Sequence, residues 1–246
     1  MALRLGNVTA DERYAAWKRV IERIARENIA QGWNHYMFRL LRAVFTHNTR
    51  LAEEGGFIFQ WVTQNYVDAS LMLVRRELDV QEGTENLRNL LDDIIAHPEV
   101  LTRARYRSEW DNATLAAQLA DGQFDAFGAV QVNNSRDDDG IATAVIEADL
   151  ASLTADIDAL RVYAERTRAH RTPPRGINPA GMTFEVLHTS IRDIRRVIAR
   201  YNLILGRATI INWEPARQYN TVVPFTFTWV NDVALVEQAI GDEEGV

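Results

Sequence analysis

The residue types best suited to chemistry lie in one segment, 163–174, where arginines and a histidine precede two prolines. The segment runs Tyr-Ala-Glu-Arg-Thr-Arg-Ala-His-Arg-Thr-Pro-Pro. Arg166 and His170 are four residues apart and therefore share one face of a helix. Histidine titrates near neutral pH, and arginine binds phosphate through two parallel N–H donors. Their combination indicates acid–base chemistry beside phosphate-binding groups.

A long amphipathic helix is predicted to carry this segment. Apolar residues recur every three to four positions over 146–164, which places one apolar stripe along a helix. Pro173 and Pro174 cannot continue it, so the helix is expected to span about 143–170. A structural role for His170 stays open beside the chemical one. A histidine in the last helical turn interacts favourably with the helix dipole and the terminal carbonyls.

The remaining periodic segments also indicate helices, with no internal repeat. Helices are predicted over about 9–27, 28–48 (the same helix or a second one), 57–78, 86–95, 183–205 and 231–240. Thr9 and Asp11 are the candidates for the first N-cap, and Gly55-Gly56 is expected to break the chain. The two long helices, 143–170 and 183–205, are expected to pack antiparallel.

Two helices have apolar faces that indicate deep burial. In 57–78, the neighbours Ile58, Trp61 and Met72 widen the apolar stripe until burial on most sides is expected. In 183–205, a near-heptad stripe is predicted to form a core face. Its members are Phe184, Leu187, Ile191, Ile194, Ile198, Tyr201 and Leu205. Tryptophans and tyrosines are mainly interpreted as core residues.

Two regions depart from the helical pattern. Residues about 121–142 carry turn formers without periodicity, which predicts a loop. Their Asp137–Asp139 run lacks the alternating ligands of a calcium loop and is interpreted as solvated. The tail, 209–246, contains a segment, 221–229, that alternates apolar and hydroxyl residues with period two. That alternation predicts a short extended or strand-like arm.

Composition limits the class of protein. The chain has 246 residues, 47% of them hydrophobic, and a formal charge of −7, which argues against a surface coated in positive charge for nucleic acid. Cysteine is absent, which excludes disulfides and thiol catalysis. Neither a signal peptide nor an apolar run of membrane-spanning length is found. We therefore expect a soluble, cytoplasmic protein of one domain, 1–246, with no cofactor and no metal.

The order of elements resembles a known family. A helical half ends in 57–79, a short helix follows, a long helix ends in Ala169-His170-Arg171, and a closing helix begins at Thr183. This arrangement is similar to the AbiU2-like branch of the HEPN superfamily over about residues 10–205. The resemblance implies an all-α, antiparallel helical bundle. It also implies a homodimer and a metal-independent endoribonuclease of toxin or phage-defence type. An antitoxin or another operon-encoded protein is an implied partner.

The same resemblance implies roles for the arginine and histidine cluster. His170 corresponds to the family's catalytic histidine, Arg166 to its partner, and Arg168 and Arg171 would bind RNA or phosphate. The spacing departs from the family, because Arg166 is one residue closer to His170 than the usual minimum. Either Arg166 has taken over the role or the chain has lost the nuclease constellation. The alternative function is a catalytically silent protein that binds RNA, a ligand or a partner through this cluster.

The other histidines are weaker candidates. His35 and His47 are twelve apart and lie on different turns, and no zinc-type HExxH spacing exists. His97 precedes a proline and is interpreted as a loop residue. His188 adjoins core positions of the closing helix and is interpreted as a boundary residue. Arg75 and Arg76 are interpreted as helix-end charges more readily than as a phosphate groove.

Overall fold

A computed structural model describes residue 3, residues 5–110, 114–131, 135–154 and 183–206, and residues 210, 212 and 213. The described part contains eight α-helices and one small antiparallel hairpin. The helices are α1 (Ala10–His47), α2 (Thr49–Glu54), α3 (Gly56–Leu78), α4 (Leu87–Ala96), α5 (Arg103–Ser108), α6 (Thr114–Gly128), α7 (Thr143–Thr154) and α8 (Phe184–Gly206). The strands are β1 (Ala129–Val130) and β2 (Gly140–Ile141). The predicted helical fold class is thus confirmed in outline.

The first helix is one continuous element of 38 residues. Thr9 caps it, because its hydroxyl accepts from the Glu12 N–H while the Glu12 carboxylate accepts from the Thr9 N–H. This reciprocal capping box satisfies two backbone donors that the first turn would otherwise leave unpaired. Trp17 and Ile21 on its apolar face are fully buried. The prediction of Thr9 as a cap is confirmed.

Gly55 separates α2 from α3, as the sequence predicted. A Cβ at this position would lie 2.6 Å from the Leu51 carbonyl oxygen and 2.7 Å from a Phe45 ring carbon. Both distances are shorter than real side chains tolerate, so a larger residue would displace one helix or the other. The close approach explains why glycine occupies the turn between the two helices.

Two antiparallel pairings organise the core around α1. Phe45 contacts Phe59 and Phe38 contacts Tyr66, so α3 runs antiparallel to α1. Phe38 also contacts Phe184, and the Arg195 guanidinium donates to the Asn28 carbonyl, so α8 runs antiparallel to α1 as well. The interior side chains of α8 are buried. They are Leu187, Ile191, Ile194, Val197, Ile198, Tyr201, Ile204 and Leu205.

Several apolar residues that the sequence assigned to the core are exposed. Ile58, Trp61 and Met72 on α3 are more than half exposed, which corrects the prediction that this helix is buried on most sides. The reason is geometric: α1 and α8 cover one side of α3, and the widened apolar face extends beyond them. Trp33 and Phe184 are also exposed, to 41% and 39%.

The prediction of a loop over 121–142 is wrong for about the first third of the segment, which is helical. The rest contains a short hairpin that was not predicted. Residues up to Gly128 belong to α6, and β1 and β2 form a short hairpin beyond it. Buried Arg103 holds this region, because its guanidinium bonds the carboxylates of Asp125 and Asp139. Asp139 is buried as well, so only part of the acidic run is solvated.

No helix in the described ranges has both the length and the apolar character needed to cross a membrane. The predicted helix 143–170 is described as far as Thr154, where Ile146 and Leu153 are buried against the core. The remainder of that helix and the strand-like segment 221–229 lie outside the described residues.

Candidate functional site

A cavity of about 710 Å³ opens where α1, α3 and α8 meet. Two imidazoles and one phenol converge in it: His35 from α1, Tyr66 from α3 and His188 from α8. Four arginines also line the cavity, and they are Arg42, Arg192, Arg195 and Arg196. Titratable groups and phosphate-binding groups therefore share one concave surface.

The Tyr66 hydroxyl lies between the two histidines. Its Oη is 2.8 Å from His35 Nδ1 and 2.8 Å from His188 Nε2. The hydroxyl carries a single proton. When both imidazoles are neutral, it can therefore donate to one ring nitrogen and accept an N–H from the other.

This arrangement couples the two tautomers. If Tyr66 donates to His188, then His188 carries its proton on Nδ1 and His35 leaves Nε2 unprotonated. If Tyr66 donates to His35, the two imidazoles exchange these roles. In either state one imidazole presents an unprotonated nitrogen and the other an N–H. At the ring nitrogens that do not bind Tyr66, the pair thus combines one proton acceptor and one proton donor.

Aromatic packing fixes the phenol in place. The Tyr66 ring stacks on Phe38 with centroids 4.2 Å apart and planes within 3° of parallel. The His35 and His188 rings lie edge to face at 5.0 Å. Because these rings are held by three separate helices, the geometry of the site depends on the packing of α1, α3 and α8.

Helical spacing brings further cavity residues to the same side. On α8, the side chains of Phe184, His188, Arg192 and Arg195 follow one another at intervals of four, four and three, which is one helix face. All four line the cavity. The face is therefore aromatic at the start of α8 and cationic further along.

The environment lowers the pKa of His188 below its ordinary value. Burial is the largest cause, followed by the positive charges of Arg192 and Arg42, and Glu185 opposes them. A lowered pKa means that His188 is mainly neutral at pH 7 and able to accept a proton. Burial also raises the pKa of Tyr66, against a hydrogen bond from Ser70 and the charge of Arg195, so the phenol keeps its proton.

Replacing Arg192 with alanine is expected to raise the pKa of His188 toward its ordinary value. Removing that positive charge takes away a repulsion that penalises the imidazolium. An NMR titration of the His188 ring should therefore show its midpoint move to higher pH. Arg136→Ala, which removes a charge outside the cavity, is the matched control. A His188 midpoint that is equal in the two variants would contradict this description of the site.

The cavity arginines differ in their partners. Arg196 lies 3.5 Å from Asp193, and the Arg195 guanidinium packs 5.6 Å from the centroid of the Trp213 ring. Arg192 donates to the Thr189 hydroxyl at 2.8 Å. Within the described part of the chain, neither Arg42 nor Arg192 forms an ion pair with a carboxylate. Both guanidinium groups line the cavity, where an anion could pair with them.

The residues that the sequence analysis placed at the catalytic centre are not those of this cavity. Arg166 and His170, together with Arg168 and Arg171, lie outside the described residues, so their assignment stays a prediction. His188 does lie at a boundary between core and solvent, as expected, but it lines the cavity. His47 is exposed outside it.

A sequence signal for the cavity did exist. His188 and Arg192 have the same four-residue spacing that drew attention to Arg166 and His170. Tyr66 was interpreted as a core residue, and it is buried, yet its hydroxyl reaches the cavity. The convergence itself is tertiary, because His188 lies 122 residues from Tyr66 along the chain.

The described residues contain no group of three or more histidines and carboxylates placed to hold a metal ion. Comparison of the chain with models of protein families, with curated proteins and with solved structures found no match. The assignment of function therefore depends on the chemistry of the site.

Proposed function

We propose that this protein is a metal-independent endoribonuclease and that the His35–Tyr66–His188 cavity binds and cleaves the phosphodiester. The observation that carries the proposal is the Tyr66 hydroxyl, which bridges two imidazoles in an arginine-lined cavity. Cleavage of RNA without a metal needs a base, an acid and cations beside the phosphorus. The cavity supplies all three.

The reaction would proceed by attack of the 2′-oxygen on the adjacent phosphorus. The unprotonated imidazole takes the proton of the 2′-hydroxyl, and a new bond forms between that oxygen and phosphorus. The bond from phosphorus to the 5′-oxygen breaks, and the leaving oxygen receives a proton from the other imidazole. The products are a 2′,3′-cyclic phosphate and a 5′-hydroxyl. Tyr66 positions both rings, and its hydroxyl would accept a proton from the base imidazole and donate its own to the acid imidazole. Both rings would then end neutral, with their tautomers exchanged.

The arginines would stabilise the charge that develops on the phosphoryl oxygens. Arg192 and Arg42 are the best placed, because both are close enough to His188 to lower its pKa. A bound phosphate would offset their repulsion of the imidazolium and favour a proton on His188. Substrate binding would thus raise the pKa of His188.

The resemblance to AbiU2-like HEPN proteins supports the same reaction class and a toxin or phage-defence role acting on RNA in the cytoplasm. It also supports a homodimer, for which exposed Phe57, Ile58 and Trp61 on α3 offer an apolar surface. An antitoxin or operon-encoded protein is the other candidate for that surface. Arg166 and His170 stay the alternative catalytic pair.

The proposal is tested by incubating purified protein with varied single-stranded RNAs in the presence of a metal chelator. We expect cleavage that leaves 2′,3′-cyclic phosphate and 5′-hydroxyl ends, because the base activates the substrate's own 2′-oxygen. RNAs with a 2′-deoxy sugar at the cleavage position should resist. Cleavage that requires magnesium would overturn the mechanism. Binding of RNA with no cleavage of any substrate would favour the catalytically silent alternative.

A further inference from the structure

Phe184 places an aromatic ring at the mouth of the cavity. Its ring lies within 20° of parallel to the Phe38 ring and within 18° of the Tyr66 ring. Phe38 and Tyr66 are buried, whereas Phe184 is 39% exposed. The outermost of three near-parallel rings is therefore the one that solvent, or a ligand, can reach.

Charge is distributed unevenly along the α8 face that begins with Phe184. At its start, the cavity holds Glu185 and Arg42, whose formal charges cancel. Further along lie Arg192 and Arg195, which are eight and eleven residues from Phe184, or about 12 and 16 Å along the helix. His188 lies between the aromatic start and the cationic end.

A ligand that fits this face has a flat ring at one end and negative charge at the other, and it is longer than a single phosphate. A nucleotide strand has this form, since every base has a face that stacks on aromatic side chains and every linkage carries a phosphate. Bases in a duplex are already stacked and paired, so their faces are not accessible to Phe184.

We propose that the cavity is selective for single-stranded RNA, with an unpaired base stacked on Phe184 and the strand running along α8 toward Arg192 and Arg195. The scissile phosphate then lies beside His188, in the middle of the face. This inference rests on the proposed nuclease function, and it adds the form of the substrate and a residue that binds it.

Binding is measured with a fluorescent single-stranded RNA made non-cleavable by 2′-fluoro sugars, alone and annealed to its complement. We expect the wild-type protein to bind the single strand at least tenfold more tightly than the duplex. Phe184→Leu should weaken single-strand binding by about tenfold, whereas Phe184→Tyr, which keeps the ring, should bind like the wild type. Trp33→Leu removes an aromatic ring of similar exposure, 41%, outside the cavity and is the matched control.

In cleavage assays, Phe184→Leu should raise KM and leave kcat nearly unchanged, because stacking binds substrate and transition state alike. Equal binding by Phe184→Leu and Trp33→Leu would overturn the proposal, as would equal affinity for single strand and duplex. If Phe184 governs binding but the wild type cleaves no RNA, the stacking site stands and the nuclease function fails. If the wild type cleaves RNA and Phe184 has no effect, the stacking site alone fails.

Discussion

Replacing Asp93 with alanine is expected to lower the free energy of unfolding by about 3–5 kcal/mol. The Asp93 carboxylate accepts two hydrogen bonds from the Arg13 guanidinium, each 2.8 Å long, and a third of 2.7 Å from the Trp17 indole N–H. Arg13 and Asp93 are 7% and 1% exposed. The substitution would leave a buried guanidinium without its counter-charge and a buried indole N–H without an acceptor, and both are costly.

The effect is large against the total stability of about 5–15 kcal/mol that is typical of a folded domain. Urea denaturation followed by circular dichroism measures it. Asp92→Ala is the matched control: Asp92 is the neighbouring residue of α4, and its pairing with Arg88 at 3.9 Å is part-exposed. We expect Asp92→Ala to cost less than about 1 kcal/mol. Two variants of equal stability would show that the Arg13–Asp93 pair does not hold α1 to α4.

Local sequence patterns predicted the structure correctly where it depends on residues that are close together in the chain. The Thr9 cap depends on residues within one helical turn, and the turn at Gly55 depends on a glycine that admits a close backbone approach. Both were predicted. The helix α6 was missed because Gly122 and the nearby aspartates resemble loop residues, whereas partners distant in the chain hold them in place. Arg107, for example, pairs with Asp121 across fourteen residues.

Patterns of apolar residues did not show which side chains of a helix are exposed. They predicted that α3 is buried on most sides, yet Ile58, Trp61 and Met72 are exposed, because the partner helices cover one side only. A hydrophobic stripe establishes that a helix has an apolar face, but its width does not establish how many neighbours the helix has.

The candidate site was only partly accessible to sequence analysis. The spacing of His188 and Arg192 is a local signal, and it is equal to the Arg166–His170 spacing that was selected instead. No local signal joins these residues to His35 and Tyr66. Their meeting requires α3 and α8 each to pack antiparallel to α1 in one register, and that register is set by buried contacts along the length of the helices.

Replacing His188 with alanine is expected to reduce the rate of RNA cleavage by roughly 10²–10⁴-fold. The variant removes one of the two proton-transfer groups and leaves Tyr66 bound to His35 alone. His35→Ala should have an effect of the same order, because the two imidazoles exchange the roles of acid and base. The two losses should not add, since either substitution alone breaks the coupled pair.

Both variants also need a check on folding. His35 and His188 contact the Tyr66 and Phe184 rings, so each alanine removes some packing. Circular dichroism and melting temperature identify any loss of structure, and His188→Asn provides a second variant that is polar and closer in size to histidine. A rate loss shared by His188→Ala and His188→Asn, with the melting temperature retained, would assign the effect to the imidazole.

The most direct test of the cavity as the catalytic centre is to measure single-turnover cleavage rates in the presence of a metal chelator. Three variants are compared: His188→Ala, His170→Ala and, at an exposed position outside the cavity, His47→Ala. Chemistry in the cavity predicts that His188→Ala loses at least a hundredfold in rate while His47→Ala cleaves like the wild type. A His188→Ala variant that cleaves at the wild-type rate while His170→Ala is inactive would contradict it and assign the reaction to Arg166 and His170.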